Sequence, residues 1–131
     1  MCMGYHLCYG DRQHRHFKQP VDMTNLVEVA NAVAAALERS ISWIHMPVPR
    51  SRYDEAYFAP LRTLQRYPET ELYLGLVHFT DGVAGTRQRL EAAQRVMAEF
   101  GVATECGLGR RPPKTIPALL RMHAEVADQL S

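Results

Sequence analysis

Four short apolar runs alternate with four longer amphipathic stretches along the 131-residue chain. The short runs are rich in aromatic and β-branched residues and are bounded by glycine, proline or polar turns, which is typical of β-strands. They cover residues 4–10, 41–48, 71–79 and 102–106. Their centres lie 37, 30 and 30 residues apart, near Leu7, Ile44, Leu74 and Thr104. This spacing is the length of a βα unit and predicts four such units in succession.

The stretches between the strands repeat apolar residues every three or four positions and predict helices. In the first, the stripe is formed by Leu26, Val29, Ala30, Val33 and Leu37. A second helix over 54–67 must break or restart at Pro60, because proline lacks a backbone donor. The third has Thr86 as its candidate N-cap and Gly101 as the candidate residue after its C-terminus. The fourth covers about 115–130.

Strands that are joined by helices must be parallel, so the pattern predicts an α/β fold with a parallel (βα)4 arrangement. The length fits a single domain over residues 1–131. We expect the four units to form half of a (β/α)8 barrel, and a small open doubly wound sheet is the alternative. A half barrel has two bare strand edges, so it would need a second half to cover them.

Charge and cysteine content narrow the function classes. Lys and Arg number 15 against 14 Asp and Glu, a net charge of +1, so no global positive field favours nucleic acid or an anionic membrane. No apolar run is long enough to span a bilayer. Three cysteines form no visible disulfide framework, which indicates a reducing compartment and predicts a cytoplasmic protein.

The polar residues with the most chemistry fall at the carboxyl ends of the predicted strands. They are His6 and Cys8 in the first strand, His45 in the second, His78 in the third and Cys106 in the fourth. Parallel α/β folds bind their ligands at that end of the sheet. We therefore expect these five side chains to share one mouth.

His6 and Cys8 carry the sharpest local signal, because residues i and i+2 of a strand project to the same side and can hold one ion together. Imidazole and thiolate are preferred ligands of Zn2+, and Cys106 would add a second thiolate. His45 is the candidate fourth ligand, although a hydrogen-bonded core histidine is an equal interpretation. A buried cysteine is often only a small apolar residue, so the pair alone does not establish a metal site.

Two further pairs have candidate roles near the same mouth. His78 and Asp81 are candidates for a general acid or a substrate anchor, and the alternative is a turn stabilised by Asp-Gly. Arg110 and Arg111 are candidates for binding a substrate carboxylate or phosphate, and solvated loop charges explain them equally well.

Three motifs together resemble a known family. His6-Leu7-Cys8-Tyr9, then Gly75-Leu76-Val77, then Glu105-Cys106-Gly107-Leu108-Gly109-Arg110-Arg111 resemble the C-terminal barrel of cobalamin-independent methionine synthase. In that family a His-x-Cys pair, a glutamate on the next strand and the cysteine of an Asp-Cys-Gly-Leu motif bind zinc. The zinc binds the thiol of homocysteine. The resemblance extends over nearly the whole chain but covers only the last four of the family's eight strands.

Residue by residue, the resemblance assigns His6, Cys8 and Cys106 to the zinc site. The family's glutamate position falls on His45, which departs from the pattern but can still bind zinc. The family's Val-x-Asp-x-His stretch has no clean match in the segment from His78 to Asp81. The site so implied is less negative by one charge than the family's.

The resemblance implies a zinc-dependent methyltransferase that activates a small thiol as its thiolate and takes a methyl group from a small-molecule donor. The barrel would be completed by a homodimer or by a missing N-terminal half. Two alternatives remain open. One is a hydrolase in which zinc activates water, and the other is a non-catalytic barrel half or assembly partner.

Overall fold

A computed structural model describes residues 1–10 and 19–130 of the chain. The strands are β1 (Gly4–His6), β2 (Trp43–Pro47), β3 (Glu71–Val77) and β4 (Gly101–Thr104). The helices are α1 (Thr24–Ala36), α2 (Glu55–Phe58), α3 (Gly82–Gln94) and α4 (Ile116–Ala127). Short 3-10 helices cover Ala59–Thr63, Pro113–Thr115 and Asp128–Leu130. The predicted α/β class with four βα units is confirmed.

The four strands form one parallel sheet in the order β1-β2-β3-β4. The order follows the chain and has no reversal, whereas a doubly wound sheet reverses its order at the switch point. β1 and β4 are the two edges of this sheet. The carboxyl ends of all four strands therefore lie at one end of the sheet, where the candidate residues were predicted.

The two faces of the sheet differ because side chains alternate along each strand. One face belongs to the hydrophobic core and packs against the helices, with strand residues Ile44, Met46, Leu72, Leu74 and Leu76. The opposite face carries the rings of His6, Trp43, His45 and Tyr73 and the small side chain of Ala103. We call it the open face.

Both edge strands are shorter than predicted. β1 ends at His6 rather than reaching residue 10, and β4 ends at Thr104 rather than at Cys106. Cys8 and Cys106 therefore each lie two residues beyond the end of a strand. Because neither cysteine belongs to a strand, both residues can turn across the end of the sheet.

The helix predictions need three corrections. α3 begins at Gly82, so Thr86 lies inside the helix and is not its N-cap. The Thr86 hydroxyl donates to the Gly82 carbonyl oxygen at 2.8 Å, a bond typical of threonines in helix interiors. Gly101 does not follow the helix, which ends at Gln94, but starts β4. Val29 is 48% exposed, because α1 buries its neighbours on the other side of the stripe.

The predicted break at Pro60 is confirmed. α2 ends at Phe58, and the chain continues as a 3-10 helix, Ala59–Thr63, in which proline is tolerated near the start. None of the helices in residues 1–10 and 19–130 combines the length and the apolar composition needed to cross a membrane.

Candidate functional site

Three of the four predicted zinc ligands lie together in the structure. A ring nitrogen of His6 and the Sγ atoms of Cys8 and Cys106 are all within 4.8 Å of one another. The two Sγ atoms are 3.4 Å apart. This contact joins opposite edges of the sheet, which in a flat four-stranded sheet lie about 14 Å apart at roughly 4.8 Å per strand. The ends of β1 and β4 must therefore converge over the open face.

Gly75 of β3 makes this convergence possible. A Cβ atom on Gly75 would lie 2.7 Å from the Glu105 Cα atom and 3.0 Å from the Thr104 carbonyl oxygen. The chain leaving β4 thus crosses directly over β3 at the one position with no side chain. The register between the two strands also shifts between Leu74 and Val77, as a bulge would produce.

Hydrogen bonds hold the crossing segment in place. The Thr104 hydroxyl donates to the Cys106 carbonyl oxygen at 2.6 Å, which closes a tight turn before the thiol. The Thr104 carbonyl oxygen accepts from Nε2 of His45 at 2.8 Å. On the other edge, the Gly10 amide donates to the Cys8 sulfur at 3.2 Å. Each thiol therefore has a backbone-defined position.

The donor set and its spacing fit a zinc ion. Zinc binds thiolate at about 2.3 Å and imidazole at about 2.0 Å with tetrahedral geometry, which places two ligand sulfurs roughly 3.8 Å apart. The Cys8 and Cys106 Sγ atoms, at 3.4 Å, need to separate by only a few tenths of an ångström. Three protein ligands leave one of the four positions open, which is the pattern of catalytic rather than structural zinc sites.

His45 is not brought into this group of three donors. Its ring stacks on the ring of His6, with centroids 4.4 Å apart and planes 18° from parallel. Nε2 donates to the Thr104 carbonyl, so Nδ1 carries the lone pair in the neutral ring, and Nδ1 is buried without a hydrogen-bond partner among the described residues. Burial lowers the pKa of His45, the Thr104 bond acts against this, and His6 lowers it further. His45 therefore orients His6 and anchors Thr104.

A cavity of about 410 Å3 opens beside the cluster on the open face of the sheet. Its lining residues are His6, Trp43, His45, Tyr73, Ala103, Thr104, Cys106 and Gly107. Two cluster members, His6 and Cys106, thus face the cavity directly. The volume lies within the usual range for small-molecule sites.

His78 is placed near the crossing segment but outside the cavity lining. The buried ring donates from Nε2 to the Val48 carbonyl oxygen at 2.7 Å, and its Nδ1 is 3.7 Å from a Glu105 carboxylate oxygen. Burial lowers the pKa of His78, while Glu105 acts in the opposite direction. The side chain therefore links the residue that follows β2 to the segment that carries Cys106, and its acid role stays a prediction.

Asp81 is held by a buried arginine that sequence reasoning missed. Both carboxylate oxygens accept from Arg89, at 2.7 and 2.8 Å, and Arg89 is fully buried. The guanidinium also donates to the Leu76 and Arg50 carbonyl oxygens at 2.8 Å. Partial burial raises the pKa of Asp81, but Arg89 holds it below its usual value. This arrangement gives Asp81 a structural role and does not direct its carboxylate toward the cavity.

Arg110 and Arg111 follow the cluster in the turn after Cys106, and neither lines the cavity. The Arg111 amide donates to the Leu108 carbonyl oxygen at 3.0 Å. The Nε atom of the Arg111 side chain is buried and has no hydrogen-bond partner within residues 1–10 and 19–130. The substrate role of these two side chains remains a prediction.

The sequence pattern assigned no role to Trp43, Tyr73 or Gly75, although Gly75 belongs to one of the motifs of the resemblance. Trp43 precedes His45 by two residues on the same strand and therefore shares its face, which is a signal that the sequence did contain. Tyr73 and Gly75 are likewise two residues apart on β3 and therefore lie on one face. The role of Gly75 depends on a contact with Glu105, thirty residues later, which no local pattern indicates.

No protein-family model matches the chain, and no curated protein sequence matches it significantly.

Proposed function

We propose that this protein is a zinc-dependent, methionine-synthase-like methyltransferase domain that binds a small thiol and activates it as a thiolate. The observation that carries the proposal is the cluster of His6, Cys8 and Cys106, which leaves one zinc position open beside a cavity of about 410 Å3. The resemblance of the surrounding motifs to the zinc-binding barrel of methionine synthase supports the same reaction.

The chain's own residues would hold the ion and shape the space around it. His6, Cys8 and Cys106 supply one neutral imidazole and two thiolates, so the bound site has no net charge before substrate enters. A zinc ion held by these residues would supply Lewis acidity that lowers the pKa of an incoming thiol from about 8.5, so that the thiol would bind as the thiolate at neutral pH. The stack of His45 on His6 fixes the imidazole plane, as an outer partner of a metal ligand should.

Zinc content per chain tests the proposal directly. We expect about one zinc per chain in protein purified without added metal, and loss of that zinc in Cys106→Ser. Cys2→Ser is the matched control, because Cys2 is an exposed free cysteine outside the cluster. A wild-type protein that takes up no zinc after reconstitution, or a Cys106→Ser variant with full zinc affinity, would contradict the proposal.

Thiol binding then separates this function from a purely structural metal. The structural alternative has its own support, because a metal held by His6 and by the cysteines that follow β1 and β4 would tie together the two edges of the sheet. In that case zinc removal lowers the melting temperature while no thiol binds. Cobalt-substituted protein distinguishes the two roles, because a thiol that enters the open position changes the cobalt absorption spectrum. Turnover of an ester or amide without a methyl donor would instead identify the hydrolase.

The same proposal includes a second barrel half. The strand order β1-β2-β3-β4 is that of half a (β/α)8 barrel, and β1 and β4 present unpaired parallel edges among the described residues. A second copy related by a two-fold axis along the barrel would pair β4 of each chain with β1 of the other. Light scattering should give the mass of a dimer, or of a monomer if a separate half supplies the remaining strands.

A further inference from the structure

A row of side chains crosses the open face from one edge of the sheet to the other. His6 pairs in register with His45, His45 with Tyr73, and Tyr73 with Gly101. Three of these four residues have aromatic rings, and the first two rings are stacked. Trp43, two residues before His45 on β2, adds a fourth ring. The floor of the cavity is therefore largely aromatic.

Glycines on the two edge strands determine how the two largest rings lie. A Cβ atom on Gly4 of β1 would come within 1.9 Å of the Trp43 ring, and one on Gly101 of β4 within 2.5 Å of the Tyr73 ring. Trp43 thus lies over β1 and Tyr73 over β4, in opposite directions from the centre of the sheet. Both rings, together with His45 and Cys106, line the cavity.

The aromatic rings, rather than charged side chains, are the groups of the cavity that can attract an ion. None of the lining residues that the structure describes is a lysine, an arginine, an aspartate or a glutamate, so an ion of either sign meets no charged side chain there. The Tyr73 hydroxyl donates to a Glu71 carboxylate oxygen at 2.7 Å, which makes its ring richer in electrons. Electron-rich rings bind cations through their π faces.

We propose that this cavity binds a methylated onium cation, a quaternary ammonium or a sulfonium, and that this cation is the methyl donor. The donor role rests on the proposed function, whereas the binding itself depends only on the aromatic walls. Donor and thiolate would meet at Cys106, which belongs to both the cavity and the zinc-ligand cluster.

The reaction balances without a further reactant. The thiolate sulfur attacks the methyl carbon, an S–C bond forms, and the C–N or C–S bond of the onium breaks with its electron pair on the departing atom. The products are a thioether and a neutral amine or sulfide, and no proton or oxidant is needed. A cation and an anion are consumed together, so an apolar cavity favours this transfer more than one from a neutral donor, in which the departing atom would keep a negative charge.

Trp43 provides the assay, because it is the single tryptophan of the chain and lines the cavity. Choline and its neutral carbon isostere, in which a tert-butyl group replaces the trimethylammonium group, are titrated while the tryptophan fluorescence is recorded. We expect choline to change the emission saturably and to bind roughly fivefold to tenfold more tightly than the isostere. Equal affinities, or an emission that choline leaves unchanged, would overturn the proposal.

Variants on β3 separate ring chemistry from folding. Tyr73→Leu removes a π face but keeps Trp43 as reporter, so we expect choline affinity to fall about fivefold or more. Tyr73→Phe keeps the face and should retain most of the affinity. Tyr53→Leu is the control, because Tyr53 is 56% exposed and does not line the cavity. Equal choline affinity in wild type and Tyr73→Leu would contradict the role of the rings.

Repeating the titration after zinc removal distinguishes the two proposals. Choline binding that persists in chelator-treated protein supports the aromatic site whether or not the wild type contains zinc. A zinc-containing protein that shows no preference for choline over its isostere refutes the onium site alone. A protein that binds choline but takes up no zinc refutes the proposed methyl transfer and leaves the cation site in place.

Discussion

Gly75→Ala is the substitution that most directly tests how the site is assembled. The added Cβ atom would lie 2.7 Å from Glu105 Cα, 3.0 Å from the Thr104 carbonyl oxygen and 3.1 Å from the Glu105 amide nitrogen. All three are backbone atoms, so no side-chain rotation relieves the overlap. The segment between β4 and Cys106 must move away from β3.

The size of the effect follows from that displacement. An ordinary carbon–carbon contact is about 3.7 Å, so the segment must retreat by roughly 1 Å. Overpacking of this kind costs about 1–3 kcal/mol, and loss of the 2.8 Å bond from His45 to Thr104 adds about 1 kcal/mol. Metal ligands tolerate errors of only about 0.2 Å, so we expect zinc affinity to fall by at least tenfold.

Two measurements check these values. Urea unfolding of the metal-free protein gives the loss of stability, expected at about 2–4 kcal/mol as the sum of the overpacking and the lost bond. Competition with a chelator gives the zinc affinity. Gly109→Ala is the matched control, because a Cβ atom there has no neighbour within 4 Å. Wild-type stability and zinc affinity in Gly75→Ala would refute the close crossing of β4 over β3.

Three further predictions address other parts of the structure. Mild oxidation should link Cys8 to Cys106 within one chain, because their Sγ atoms are 3.4 Å apart, and mass spectrometry of a non-reduced digest should detect that peptide pair. Asp81→Ala should lower the free energy of unfolding by about 3 kcal/mol, because it leaves the buried Arg89 guanidinium without its counter-ion, and denaturant unfolding would measure the loss. Burial lowers the pKa of His78, so protonation is disfavoured in the folded state. Stability should therefore be full above about pH 6.5 and decrease as the pH falls through the folded-state pKa, and His78→Gln should flatten this dependence in unfolding experiments at several pH values.

The general architecture was accessible from local patterns, and so was much of the candidate site. Apolar runs and amphipathic stretches predicted the alternation of strands and helices, because side chains return to the same face about every 2 residues in a strand and about every 3.6 residues in a helix. His6 and Cys8 could be paired because they are two residues apart. The helix ends were less predictable, since Thr86 and Gly101 both fit capping rules that tertiary contacts overrode.

The sequence by itself determined which residue types stand at the carboxyl end of each strand, and therefore which chemistry is available there. Only the tertiary structure decided which of them meet. Cys106 reaches Cys8 because the chain crosses β3 at Gly75, and His45 is turned instead toward Thr104. The physical reason is that local patterns encode the side of a strand on which a residue lies. Distances between strands depend on packing among residues far apart in the chain.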